Sequence, residues 1–130
     1  MTKKLVVRLT ANFERNLADI ERFLTEAGAF RAYDVLLDEL LGTVIPNLER
    51  FPGMGRPFFA RVARSVETAN ALEMLRAKLL ALTPEPEGLR EYIMDTHLVL
   101  YMQIGANIHL LAIKHHRQLS FDFASQWRGA

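Results

Sequence analysis

The apolar positions of this chain change period once. Up to about residue 82 they recur every three or four residues, and from residue 89 they alternate or run together. Leu5 to Leu9 is a short β-type run with two valines and predicts a first strand. Thr10 or Asn12 can cap the helix that follows. Phe13, Leu17, Ile20, Leu24 and Ala27 make one stripe of that helix, and Gly28 is a natural stop. Arg15, Asp19, Arg22 and Glu26 lie opposite, at ion-pair spacing, and read as a solvated face. A second helix begins near Phe30, with Tyr33, Leu37, Leu40, Val44 and Leu48 as its stripe. Pro46 falls inside this pattern and has no backbone donor, which predicts a kink or an early end. The two helices form an αα-hairpin. Arg50 to Phe58, RFPGMGRPF, carries two prolines and two glycines and predicts a rigid turn cluster.

Ser65 to Leu82 returns to helical spacing, with Val66, Ala69, Leu72, Leu75, Leu79 and Leu82 on one side, and "TPEPEG" closes it. Three β-type runs follow: Leu89–Met94, His97–Ile104 and Asn107–Lys114, joined by separators short enough for hairpins. The middle run, HLVLYMQI, is apolar at both alternate positions, which predicts a central strand covered on both faces. A tail with Phe121, Phe123 and Trp127 ends the chain; these aromatics fold back or meet a partner. The expected architecture is α+β: an N-terminal strand, a two-helix hairpin, an extra inserted helix, then a three-stranded antiparallel meander in a mainly antiparallel sheet. It is expected as one domain over 1–130, with 59–88 a helical insertion and 120–130 an aromatic tail.

Composition narrows the chemistry. Half of the 130 residues are hydrophobic, 24% are charged and none is cysteine. Thiolate zinc sites and cysteine nucleophiles are excluded, and a reducing compartment is favoured. The opening apolar run is too short for a signal peptide, and no stretch approaches a membrane span, so a cytoplasmic location is expected. A formal net charge of +1 does not announce a nucleic-acid binder, so any basic patch is local.

That patch is AIKHHRQLSF, Ala112 to Phe121, where an apolar strand runs into Lys114, His115, His116 and Arg117. The segment reads as an active site, a partner contact or a solvated strand end. Adjacent histidines on a strand point to opposite faces and do not readily chelate one ion, and no carboxylate motif accompanies His97 or His109, so no metal is expected. "GMGRP" lacks the preceding strand and following lysine of a phosphate loop, so no cofactor is expected either.

Three segments carry a resemblance. VVRLTANFERNLADIERFLTEAG, NLERFPGMGRPF and LREYIMDTHLVLYMQIGANIHLLAIKHHRQ, in this order, resemble the RelE/ParE superfamily of bacterial type II toxin–antitoxin toxins. The match to the family's first strand and helix, its proline and Gly-Arg-Pro turn, and its three closing strands spans about 100 residues. The departure is 58–88, where the family has a short linker. The resemblance implies growth inhibition and a cognate antitoxin as partner, in a hetero-oligomer, with a homo-oligomer also possible. It leaves two activities open. RelE-like members cleave messenger RNA on the ribosome, using basic groups on the sheet. ParE-like members, of the plasmid-stabilisation type, lack that set, and DNA gyrase is their implied target. RNA cleavage needs a base, an acid and cations around one phosphate. Against the RelE-like pattern, Arg90 is the one cation on the first closing strand, and Ile93, Leu98 and Phe123 stand where polar groups are expected. The ParE-like reading is therefore preferred. Its expected partner-binding residues are Arg90, Lys114, His115, His116, Arg117, Phe121, Phe123 and Trp127. If the chain is instead a nuclease, Arg90, His115, His116 and Arg117 are the catalytic candidates.

Overall fold

A computed structural model describes residues 4–58, 73–74, 76–81 and 88–115. Strand β1 (Val6–Leu9) leads into helix α1 (Ala11–Glu26). Thr10 is the cap: its side chain accepts from the Phe13 amide, which satisfies one of the helix's orphan donors. Asn12, the other candidate, is buried instead, and its side-chain amide donates to the Leu111 carbonyl at 2.9 Å. Of the four charges opposite the apolar stripe, Arg22 and Asp19 pair at 3.4 Å. Gly28 takes φ +74° after the helix, a conformation that costs glycine little.

Helix α2 (Phe30–Glu39) corrects the expectation at Pro46. α-Helical bonding ends at Glu39, but the helix continues as a π-turn over Leu40–Val44 and then as α3 (Ile45–Arg50), with Pro46 in its first turn. The π-turn closes with the Ile45 amide bonded to the Leu40 carbonyl. A proline inside an α-helix would leave a carbonyl without its amide and clash with it, and the wider turn changes the bonding register just before Pro46. It also keeps the stripe straight. Residues four apart drift around an α-helix, and a wider turn takes up that drift. Leu36, Leu40, Val44 and Leu48 all end buried in the same cluster.

Strand β2 (Arg56–Pro57), hidden within the turn cluster in the sequence, pairs antiparallel with β3 (Arg90–Ile93). β4 (His97–Ile104) and β5 (Asn107–His115) complete a five-stranded sheet of order β1-β5-β4-β3-β2, in which the β1–β5 pairing is parallel and the rest antiparallel. The architecture is the α+β arrangement expected, with an added edge strand. β4 is buried from His97 to Met102, as its two-sided apolar pattern requires. One face of the sheet carries Val99, Tyr101, Ile108 and Leu110 against Phe13 and the α2–α3 stripe. The opposite face carries Leu89, Leu100, Met102, Leu111 and Ala112 with Phe58 and Leu79. Residues 76–79 are helical, and Leu79 is fully buried there, which places this part of the 59–88 segment on the core. Val66, Ala69, Leu72, Leu75 and Leu82, the rest of the expected stripe, lie outside the described residues. Among the described residues no helix is long and apolar enough to cross a membrane.

Candidate functional site

The register of β4 against β5 decides where the basic segment points. Leu100 pairs with Ala112 and Tyr101 with Leu110, so Leu111 is an extra residue, a β-bulge. Leu111 and Ala112 consequently lie in one cluster. From there alternation resumes with the faces exchanged: Ile113 packs on the helix side, and His115, two residues on, follows it. Lys114, opposite Leu98, turns to the other face. Both Lys114 and Leu98 are buried. Helix α1 reads the bulge directly: Asn12 donates to the Leu111 carbonyl, and the Asn16 side-chain oxygen accepts from the Ile113 amide at 3.1 Å.

The bulge therefore brings His115 against a residue the sequence did not connect with it. His97 and His115 are direct cross-strand partners, their rings 5.2 Å apart and nearly perpendicular. His97 is buried, and its Nδ1 lies 2.7 Å from the Thr96 hydroxyl. His116, Arg117, Phe121, Phe123 and Trp127 lie outside the described residues. Sequence spacing gives no sign of the pairing, because it depends on hairpin register and on one inserted residue.

Arg90 belongs to a different centre. It pairs with Tyr101, which sits four residues along β4 from His97, about 13 Å at ordinary strand rise. Arg90 Nη1 donates to the Gly55 carbonyl at 2.7 Å. The fully buried Tyr101 hydroxyl donates to the Pro52 carbonyl at 2.8 Å and accepts from the Gly55 amide at 2.8 Å. Burial pushes the Tyr101 phenol above its ordinary value, while the Gly55 amide and the Arg90 charge pull the other way. A Cβ on Gly55 would fall 2.5 Å from the Tyr101 hydroxyl and 2.6 Å from the Glu91 carbonyl, so only glycine fits. Arg56 next to it forms a 2.9 Å ion pair with Glu91, whose side chain is fully buried. Arg90, Tyr101 and the β2–β3 pairing clasp the RFPGMGRPF turn to the sheet. The bonding of Tyr101 to the Gly55 turn was not foreseen from the sequence. A tyrosine inside an apolar run followed the resemblance's pattern, but nothing in its spacing pointed to the turn.

The arrangement gathers no shared anion pocket among the described residues. Arg90 is committed to the turn on the helix-covered face, Lys114 is buried on the opposite face, and His115 lies at the far end of the sheet. Among the described residues no three histidine, aspartate, glutamate or cysteine side chains converge as a metal ion would require. A shallow depression on the outer side of α1, lined by Ala18, Glu21, Arg22, Thr25 and Glu26, contains none of the candidates.

Comparison with known proteins adds one family. Residues 7–120 match the model of the ParE toxin of the type II toxin–antitoxin system parDE. Among solved structures, the toxin–antitoxin complex RelBE2 from Mycobacterium tuberculosis is similar at 17% identity, with 87% of this chain and 99% of that chain covered and a TM-score of 0.48. No curated protein matches.

Proposed function

The chain belongs to the ParE toxin family of type II toxin–antitoxin systems, and from that premise we propose that it acts by binding, engaging and inhibiting an essential target. DNA gyrase is the target of this reading, and a cognate antitoxin, encoded beside the toxin, neutralises it. The observation that carries the reading is the dispersal of the cations among the described residues. Phosphoryl transfer needs several groups acting on one phosphate. Arg90 instead bonds the Gly55 carbonyl, Arg56 pairs with buried Glu91, and Lys114 lies on the sheet face opposite Arg90. Such groups hold a surface in shape, and a rigid surface binds without an ordering cost.

A second reading, a RelE-like ribosome-dependent mRNA endoribonuclease, draws on one observation. His97 and His115 put two imidazoles on one sheet face, 5.2 Å apart, and a base and an acid are what RNA cleavage requires. Expression without the antitoxin separates the two. Binding to gyrase predicts stalled replication, filamentous cells and loss of supercoiling by purified gyrase, with messages intact and the His97→Ala/His115→Ala variant still toxic. Rapid translation arrest with cut messages, abolished in that variant, would establish the nuclease instead.

A further inference from the structure

We propose that the clasped turn Phe51–Arg56 is a preformed docking element for an acidic, amphipathic segment of the antitoxin; this rests on the toxin reading above. Phe51 is 61% exposed and Met54 47% exposed. The Met54 amide donates to the Phe51 carbonyl at 3.0 Å, closing a β-turn with Pro52 and Gly53 at its centre. The Cα atoms at the ends of such a turn lie within about 7 Å, so two exposed apolar residues stand on neighbouring positions of the surface. Scattered exposed hydrophobics are ordinary on a monomer, but this pair stands on a loop tied to the sheet by three side-chain hydrogen bonds. Pro52 is held through its carbonyl by Tyr101, and Gly55 through its amide by Tyr101 and its carbonyl by Arg90.

Rigidity is the argument for binding. A side chain displayed on a fixed backbone spares the cost of ordering its loop when a partner closes over it, and interface energy concentrates in such anchors. The rim is basic. Arg50 is exposed directly before Phe51, and Arg56, directly after the turn, leaves 53% of its side chain exposed while pairing with Glu91. Cations around an apolar centre select a chain that offers carboxylates around a large apolar residue. An apolar centre also suits a standing partner over a passing one, because lasting interfaces are the more hydrophobic. A neutralising antitoxin is that standing partner.

The test measures calorimetric affinity between the purified full chain and the product of the reading frame adjacent to its gene. Phe51→Ser/Met54→Ser is expected to weaken binding roughly thirtyfold or more, as loss of a hot-spot anchor does. Its thermal melt stays at the wild-type position, because both side chains are exposed. Arg50→Glu slows association and flattens its salt dependence. A double variant that melts and binds as the wild type overturns the inference. So does one that keeps the antitoxin but loses growth arrest, which would assign the turn to the target. If the wild-type chain itself ignores the neighbouring product, the toxin–antitoxin reading fails first and takes this inference with it.

Discussion

Tyr101 ties chemistry to architecture at a single atom. Its hydroxyl both donates and accepts, and each bond reaches a backbone group of the same turn. Tyr101→Phe removes both and leaves the buried Gly55 amide without its acceptor, an expected loss of about 1–3 kcal/mol in denaturant unfolding. The same residue gives a pH dependence. Its folded pKa is raised above 10.0 by burial, so the folded state holds the proton more tightly than the unfolded chain does. Tyr101 therefore stabilises the fold fully below about pH 10, and this contribution falls as pH rises above that value. Melts from pH 8 to 11 should show an alkaline decline that is smaller in Tyr101→Phe. The two nearby glycines offer an internal control. A Cβ on Gly53 meets nothing within 4 Å, whereas one on Gly55 meets the Tyr101 hydroxyl and the Glu91 carbonyl. Gly55→Ala should cost about 1–3 kcal/mol and Gly53→Ala little, and equal effects would show that the turn is not clasped.

Among elements, β5 was legible in its extent but not in its register. Its run from Asn107 into the basic segment was plain from hydropathy, and so were the hairpin helices and the doubly covered β4, because burial of a periodic face is what hydropathy records. The bulge at Leu111 was not. It is one residue in a continuous apolar run, and every residue there suits either face. Strict alternation carried through Leu110 would have given His115 and Lys114 to the wrong sides. β2 was missed for a related reason: Arg56-Pro57 reads as turn chemistry, and its pairing with β3 rests on a carboxylate 35 residues away. The π-turn was hidden because Leu36, Leu40, Val44 and Leu48 fit ordinary helical spacing whether or not the helix widens. Asn12 reports on the bulge, since its buried side chain donates to Leu111. Asn12→Ala should cost about 1–3 kcal/mol by removing the shorter of that carbonyl's two side-chain donors, with the Thr10 hydroxyl left at 3.4 Å. Asn12→Asp should cost more, because a carboxylate cannot donate there. A neutral result for both would mean that the bulge stands without the helix.

At the scale of the whole molecule, the sheet joins segments about 100 residues apart in sequence. β1 pairs in parallel with β5, which also pairs along its length with β4. A chain ending at Gly105 loses β5, and with it the partner of β1 and one neighbour of β4. It also loses Ile108, Leu110 and Ile113 from the cluster that seats Phe13 and the hairpin. Circular dichroism of such a truncation should show no cooperative thermal transition, whereas a sharp melt would mean that the hairpin and β3–β4 stand alone. Synthesis runs from the N-terminus, at about 5–20 residues per second. β1 leaves the ribosome well before β5 and must wait for the segment between Leu9 and Asn107 before its partner exists. Folding of this toxin is thus tied to the synthesis of β5: a message broken or a ribosome stalled before Asn107 yields a polypeptide with no closed sheet, and so nothing for an antitoxin to restrain.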